Sequence, residues 1–250
     1  MNERQLALET LSGVLKDKTY LNLVLKRVLR KEMKPEQRRF LTALVSTTLE
    51  NLFRIDYVIG KFVTAKRVHT VIRNILRLGV CQLLFFESVP TSAAVNESVK
   101  LAEQNGKKQL KGFVNATLRN VAANLGKIEY PDETADRAEY LRVLYSYPKW
   151  LCEKYIREYG AEYAEAMMGY HAYGKTCVRL NLSKRTRPPE QFEPGCYCGD
   201  AYYIKNAASI ENMPLFKSGE IAVQGEASML CVRAAGISAG ARVLDLCAAP

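Results

Sequence analysis

The sequence contains no run of about 18 uncharged apolar residues, which is the length that a membrane-spanning helix requires. The segment from Met1 to Lys16 carries charges among its apolar side chains, so it lacks the apolar core of a secretion signal. Both absences argue against a membrane protein and a secreted one. The sequence therefore predicts a soluble, cytoplasmic protein.

The sequence also lacks the residue spacing of a metal site. Its seven cysteines include no Cys-x-x-Cys pair, and its two histidines lie far apart. Cys196 and Cys198 are separated by one residue with no histidine nearby, a spacing that does not suit a zinc knuckle. Most cysteines of a cytoplasmic chain are small, buried side chains with free thiols. The sequence therefore predicts free thiols and no metal.

Acidic residues are scarce in the first half of the chain, and its net charge follows from this. The whole sequence has 36 Lys and Arg against 26 Asp and Glu, a formal charge of +10. Residues 1–130 hold 22 basic and 11 acidic residues, whereas residues 131–250 hold 14 and 15. A basic lobe beside a near-neutral one indicates a polyanion partner for the first half. A merely solvated basic surface is the alternative, and charge alone leaves both open.

Apolar residues in the first half recur at spacings of three and four, which predicts helices throughout. Pro35 suits the first turn of the third helix. The fourth helix is apolar on most sides, as is typical of the helix at the centre of a bundle. The predicted helices cover residues 4–15, 21–29, 35–62 with a break near Asn51, 68–87, 93–104 and 112–126.

The pattern changes after the turn-forming segment 130–133. Two further helices are predicted, in one of which Trp150 is expected to pack against its neighbours. Alternating apolar and polar residues then indicate strands. The predicted elements are helices over 148–160 and 161–170, strands over 176–182, 202–204 and 221–223, and a helix that ends near 235.

The last ten residues begin with a short apolar run. Val243, Leu244 and Leu246 are typical of a buried parallel strand that opens a doubly wound sheet, with Asp245 placed to orient a polar ligand. Ligands of such sheets lie at the carboxyl ends of strands. A ligand site and an ordinary turn both remain open on this spacing alone.

The sequence of residues 243–250, Val-Leu-Asp-Leu-Cys-Ala-Ala-Pro, resembles the first S-adenosylmethionine-binding motif of RNA cytosine-5 methyltransferases. An earlier set of segments resembles the NusB-type RNA-binding domain. Together they resemble the RsmB (Sun/Fmu) family of 16S ribosomal RNA methyltransferases. The NusB-like segments are residues 77–79, 82–84, 95–97, 99–102, 112–116 and 118–120.

The resemblance implies a multidomain fold, α and then α/β. An all-α NusB-like helical bundle is expected over residues 1–130, a small α/β linker domain over 131–215, and the first elements of a Rossmann-like methyltransferase domain over 216–250. Because Gly-Gly-Lys would follow Pro250 in the family, the chain is expected to be truncated within the cofactor motif.

The family reaction transfers a methyl group from S-adenosylmethionine to C5 of a cytosine in small-subunit ribosomal RNA. A cysteine thiolate adds to C6 of the base, and a second cysteine assists product release. Both cysteines follow the motif in the family, so no catalytic residue is expected in this chain and it is expected to be inactive alone. The resemblance assigns the cofactor to Asp245, Cys247, Ala248, Ala249 and Pro250.

The expected partner is small-subunit ribosomal RNA, bound by a monomer without membrane or metal. Lys107, Lys108, Lys111 and Arg119 are the predicted backbone-phosphate contacts, which position RNA but carry little sequence information. Asn96 and Asn115 suit RNA contacts and helix-bridging roles equally. Two other functions remain open: a NusB-like binding module of the transcription-antitermination type without catalysis, and a helical interaction domain with no RNA role.

Overall fold

The computed structural model describes residues 2–65, 67–170, 175–185, 187–205 and 210–246. The chain divides into two compact units, a helical unit (Met1–Tyr170) and a sheet unit (His171–Pro250). None of the described helices is long and apolar enough to cross a membrane. The predicted boundary at residues 130–131 lies inside the helical unit, and the division into three domains stays a prediction.

The helical unit contains ten α-helices in its described residues, and all six helices predicted in the first half are confirmed. The predicted break falls at Asn51, between the third and fourth helices. Short 3-10 turns lie at Lys108–Leu110 and Leu125–Lys127. The helices are α1 (Glu3–Leu15), α2 (Leu21–Val28), α3 (Pro35–Glu50), α4 (Leu52–Phe62), α5 (Thr70–Phe85), α6 (Thr91–Gln104), α7 (Lys111–Ala123), α8 (Arg137–Tyr145), α9 (Lys149–Tyr159) and α10 (Ala161–Gly169).

Helix α5 is the centre of the bundle, as its apolar sides predict. It packs against α1, α3, α4, α6 and α7. Its side chains Ile72, Ile75 and Leu76 are fully buried, and they join Leu41, Leu118 and other apolar residues in one continuous core. Burial of apolar surface is the main term that stabilises such a bundle. The helical unit therefore presents its surface on a rigid frame.

Gly79 lets α6 and α7 approach α5 closely. A Cβ atom at this position would lie 2.7 Å from Leu118 Cδ1 and 3.0 Å from Ser98 Oγ. Leu118 is fully buried and Ser98 almost so, so neither has room to move away. A side chain at position 79 would therefore separate the central helices.

Replacing Gly79 by alanine is expected to lower the free energy of unfolding by about 1–2 kcal/mol. Overpacking lowers the free energy of unfolding by about 1–3 kcal/mol, whereas the higher helix propensity of alanine raises it by only about 0.5–1 kcal/mol. Gly60→Ala is the matched control, because its Cβ would meet nothing within 4 Å. It should raise the free energy by about 0.5–1 kcal/mol in urea denaturation. Equal effects of the two substitutions would contradict this packing argument.

Helices α8, α9 and α10 form a smaller cluster within the helical unit. Leu141, Cys152 and Met168 are buried at its centre. Trp150 is 65% exposed, so the prediction that it packs against its neighbours is wrong. The reason is geometric, because Trp150 lies about 200° around α9 from the buried Cys152 at about 100° per residue.

The sheet unit is built on four antiparallel strands, β1 (Lys175–Leu180), β2 (Glu193–Pro194), β3 (Ala201–Lys205) and β4 (Ile221–Val223), in the order β2-β3-β1-β4. The strands predicted over residues 176–182, 202–204 and 221–223 are confirmed, and β2 was not predicted. A 3-10 turn at Ile210–Asn212 and the helices α11 (Pro214–Lys217) and α12 (Glu226–Ala234) complete the described elements. Val178, Leu180 and Ile221 are buried in its core with Phe192 and Ile204.

The strand predicted in the last ten residues is absent from the described part of the chain. Residues 241–245 have no strand assignment, and the side chains of Val243, Leu244 and Leu246 are 64%, 80% and 85% exposed. A parallel strand requires a neighbour that pairs with its backbone. None of the four described strands pairs with this segment, so the prediction of a buried strand here is wrong.

Candidate nucleic-acid interface

Three of the predicted RNA-binding residues lie together where α6 turns into α7. Gly106 has a φ of +70°, a conformation that glycine adopts without strain. The N–H of Lys107 then donates to the carbonyl of Ala102 at 2.8 Å, so the backbone closes the end of α6. We call Lys107, Lys108 and Lys111 the lysine turn. Lys108 and Lys111 are exposed, and Lys107 is half-buried.

The charge of the lysine turn is barely neutralised. Lys108 Nζ lies 3.8 Å from Glu103 Oε1, and both side chains are largely exposed. Exposed pairs of this kind contribute about 0–1 kcal/mol and are easily exchanged for other partners. Lys107 and Lys111 have no ion pair with any acidic side chain of the described residues. The turn thus presents three ammonium groups on a fixed backbone.

Arg119 is separate from the lysine turn. It lies eight residues after Lys111 on α7, which corresponds to about 12 Å along the axis and about 80° around it. Its Nε donates to Asn115 Oδ1 at 3.1 Å within the same helix, so this bond bridges no helices and both interpretations of Asn115 stay open. Asn96 is exposed. The four residues that were predicted to contact phosphate therefore lie in two places, the lysine turn and the position of Arg119 on α7.

Arg119 lines an open depression beside the first turn of α6, together with Thr91, Ser92 and Val95. Pro90 precedes that helix, and no side chain caps it in the described structure. The N–H groups of an uncapped first turn favour anions, as does the helix dipole. A guanidinium next to two hydroxyl groups adds further donors for phosphate oxygens. The arrangement suits one phosphate group.

A second group of cations, which was not predicted, meets where α1 ends and α5 begins. Lys16, Arg67 and Arg73 line one cavity there and are all exposed. Lys16 and Arg73 are separated by 57 positions in the sequence. No local pattern therefore predicts this group, and only the basic excess of the first half points to it.

Comparisons with known proteins match the helical bundle to a known family. Residues 1–123 match the NusB family. The chain is 32% identical over 259 residues to "Probable ribosomal RNA small subunit methyltransferase B" of Bacillus subtilis, an alignment that covers 99% of this chain and 57% of that protein. Over nearly its whole length the chain resembles the ribosomal RNA small subunit methyltransferase B family. The predicted resemblance to this family is confirmed.

Further proteins named ribosomal RNA small subunit methyltransferase B match nearly the whole chain. The protein of Erwinia tasmaniensis is 25% identical over 260 residues, covering 100% of this chain and 59% of its own. The chain thus spans less than two thirds of these relatives. The solved crystal structure of PH0851 is 18% identical, with a TM-score of 0.57, and covers 94% of this chain and 55% of that one. This last likeness concerns the fold alone.

The predicted cofactor residues lie at the C-terminal end of the chain. Asp245 is exposed, and Cys247, Ala248, Ala249 and Pro250 lie outside the described residues. The described part of the motif has neither a strand nor a buried side chain. The assignment of these five residues to a cofactor site stays a prediction.

The described cysteines are free thiols: Cys81, Cys152, Cys177, Cys196, Cys198 and Cys231. Burial raises the pKa of Cys81 to about 12 and that of Cys152 to about 11. Both thiols are therefore protonated at neutral pH, and a protonated thiol is a poor nucleophile. Among the described residues, no group of three or more His, Cys, Asp or Glu side chains is placed to hold a metal.

Proposed function

We propose that this chain captures RNA for an S-adenosylmethionine-dependent enzyme that methylates C5 of a cytosine in small-subunit ribosomal RNA. The observation that carries the proposal is a NusB-family bundle whose surface holds the entire positive excess of the chain. The resemblance to the methyltransferase B proteins supports the reaction class. We further propose that the protein acts as a monomer in the cytoplasm.

The proposed division of labour follows three domains, residues 1–130 for RNA, 131–215 as a linker, and 216–250 as the start of the methyltransferase domain. S-adenosylmethionine would supply the methyl group, and the sequence resemblance assigns its loop to Asp245 and Cys247–Pro250. No catalytic residue is assigned to this chain. Its own residues bind and orient the RNA.

Capture of RNA by the lysine turn and Arg119 rests on electrostatics. Each phosphate that a protein cation contacts releases condensed counterions, so the affinity falls as salt rises. Contacts to the backbone fix the position of the RNA while other groups select the base. Because the lysine turn and Arg119 belong to a turn and a helix packed on one core, their backbone holds a fixed position on the surface. RNA binding then orders only the side chains and not the backbone, which lowers the entropic cost of binding.

The variant Lys107→Gln, Lys108→Gln, Lys111→Gln is expected to bind small-subunit ribosomal RNA fragments at least about tenfold more weakly at low salt, a loss of about 1.4 kcal/mol. The slope of log affinity against log salt should become shallower by about 2–3, one phosphate contact for each lysine. Fluorescence anisotropy at several salt concentrations measures both quantities.

The matched control removes three positive charges elsewhere, through Lys154→Gln, Arg157→Gln and Lys217→Gln, all of which are exposed. Its affinity should stay within about twofold of the wild type, since only the long-range field changes and salt screens it within about 10 Å. Equal losses in the two triple variants would show that net charge, not the lysine turn, determines binding. That outcome would refute the proposed contact.

A further inference from the structure

The end of α1 and the start of α5 enclose a cavity of about 470 Å³, within the range of about 300–1,000 Å³ that is typical of ligand sites. We call it the basic cavity. None of the described residues that line it is acidic. Its polar lining consists of four cations and two uncharged residues, Lys16, Arg67, Arg73, Arg77, Thr70 and Asn74.

The inner part of the basic cavity is fixed and electrically neutral. Arg77 donates from Nε and Nη2 to the two carboxylate oxygens of Asp56, at 2.7 and 2.6 Å. Its Nη1 donates to Asn74 Oδ1 at 3.0 Å, and Asn74 Nδ2 donates to Ser12 Oγ at 3.2 Å. Asn74 is 1% exposed. This network occupies Arg77, so the charge offered to a ligand comes from the other three cations.

Lys16, Arg67 and Arg73 are exposed, and none of them forms an ion pair with a described acidic side chain. Three like charges around one cavity repel one another, and the N-terminal end of the 16-residue helix α5 adds about half a positive charge. The N–H of Val71 is already taken by His69 Nδ1, at 3.3 Å. An anion in the cavity would relieve this repulsion.

The basic cavity continues into a second one of about 240 Å³, because Val68 and Arg73 line both. The rest of the second cavity is lined by apolar residues such as Ile59, Val63 and Leu76 and by the acidic Asp56, so it offers an anion no further positive charge. The cations of the basic cavity come from three segments of the chain, Lys16 after α1, Arg67 before α5 and Arg73 within it, which suits several linked phosphate groups better than one compact ion. A nucleic acid backbone carries one charge on each nucleotide and needs no apolar anchor, so the basic cavity alone can hold it.

We propose that the basic cavity binds successive phosphate groups of an RNA strand, as a contact distinct from the lysine turn. The proposal rests on the proposed function, in which this chain captures RNA, and it names three further residues for it, Lys16, Arg67 and Arg73. Inorganic phosphate presents the same oxygen atoms as the phosphates of an RNA strand. The experiment therefore tests RNA and inorganic phosphate separately.

The test compares the 250-residue chain with its double variant Lys16→Glu, Arg73→Glu, using a short fluorescein-labelled single strand of small-subunit ribosomal RNA. Arg73 lies in the first turn of α5, where a glutamate is favourable, so the helix should form normally. Affinity should fall at least about tenfold and the salt slope should become shallower by about 2. The control Lys154→Glu, Arg157→Glu should leave both quantities near the wild-type values.

Four outcomes overturn the proposal. If Lys16→Glu, Arg73→Glu binds RNA like the wild type while the lysine-turn triple variant binds weakly, the cavity is no RNA contact and the proposed function stands. If the wild type binds no RNA, both fail. If inorganic phosphate binds and is lost in the double variant with RNA affinity unchanged, the cavity holds a single ion. If polyglutamate of equal length binds as tightly as RNA, the cavity is a general polyanion site.

Discussion

Replacing Glu226 by alanine is expected to lower the free energy of unfolding of the sheet unit by about 2–4 kcal/mol. The Glu226 carboxylate is 7% exposed and accepts hydrogen bonds from the backbone N–H groups of Tyr197 at 2.7 Å, Cys198 at 2.9 Å and Cys196 at 3.2 Å. The hydroxyl of Tyr203 donates a fourth, at 2.9 Å. Alanine would leave these donors unsatisfied, and each buried orphan costs about 1–3 kcal/mol.

The position of Glu226 explains why the loss would spread through the sheet unit. It is the first residue of α12, and its oxygens hold the segment between β2 and β3. A Cβ on Gly195 would lie 2.6 Å from Glu226 Oε1, so the backbone approaches the carboxylate as closely as a glycine permits. The carboxylate therefore connects one helix to the loop and to β3.

The same carboxylate makes the stability of the sheet unit depend on pH. Burial by itself would raise the pKa of Glu226, but the hydrogen bonds from Tyr197, Tyr203, Cys198 and Cys196 together lower it below its usual value. A group with a lowered pKa in the folded state stabilises the fold above its unfolded pKa of about 4.3. That contribution is lost as the pH falls below this value, through the folded pKa. Glu226→Gln should lose this part of the pH dependence.

Amide hydrogen exchange at residues 196–198 measures the effect locally, because Trp150 lies in the helical unit and its fluorescence would not report on the sheet unit. Exchange should speed up in Glu226→Ala and less so in Glu226→Gln. Glu211→Ala is the control, since Glu211 is exposed, and surface substitutions usually change stability by less than about 0.5 kcal/mol. Wild-type exchange rates in Glu226→Ala would contradict the role of the carboxylate.

Replacing Arg77 by methionine is expected to destabilise the helical unit by about 2–3 kcal/mol. The side chain of Arg77 is 13% exposed and that of its partner Asp56 is 35% exposed. Removal of one member of a buried ion pair costs about 3–5 kcal/mol, and the partial exposure of Asp56 reduces this because water can solvate the remaining carboxylate. Asn74 would also lose the donor to its Oδ1.

Urea denaturation followed by Trp150 fluorescence measures the loss, since Trp150 lies in the same unit. Arg73→Met is the matched control: Arg73 lies one turn earlier on α5 and is exposed, so its change should stay within about 0.5 kcal/mol. A double-mutant cycle with Asp56→Asn separates the pair from other effects and should give a coupling of about 1–3 kcal/mol. No coupling would show that the two residues stabilise the fold independently.

The bundle could be predicted from the sequence because its signals are local. The apolar sides of α5 and the break at Asn51 follow from spacing within one helix, and Pro35 marks the start of α3. The strand at residues 243–246 was predicted by the same reasoning and is wrong for this structure. Apolar residues at strand spacing favour a strand only where a neighbouring strand accepts their backbone hydrogen bonds.

The interactions that depend on tertiary structure were beyond local patterns. Glu226 reaches residues about thirty positions away, and nothing in its own neighbourhood marks it as buried. Lys16 and Arg73 line the same cavity only because α1 packs against α5. The lysine turn, in contrast, was found because its three residues are almost consecutive. Whether they contact RNA stays a prediction.

The most direct test of the proposed methylation is bisulfite sequencing of small-subunit ribosomal RNA from cells that carry this gene and from cells in which it is deleted. A methyl group on C5 protects cytosine from conversion, so the proposal predicts one protected cytosine that becomes convertible on deletion. Re-introduction of the gene should restore the protection. An identical pattern of protected cytosines in both strains would contradict the proposal that the chain serves cytosine-5 methylation of this RNA.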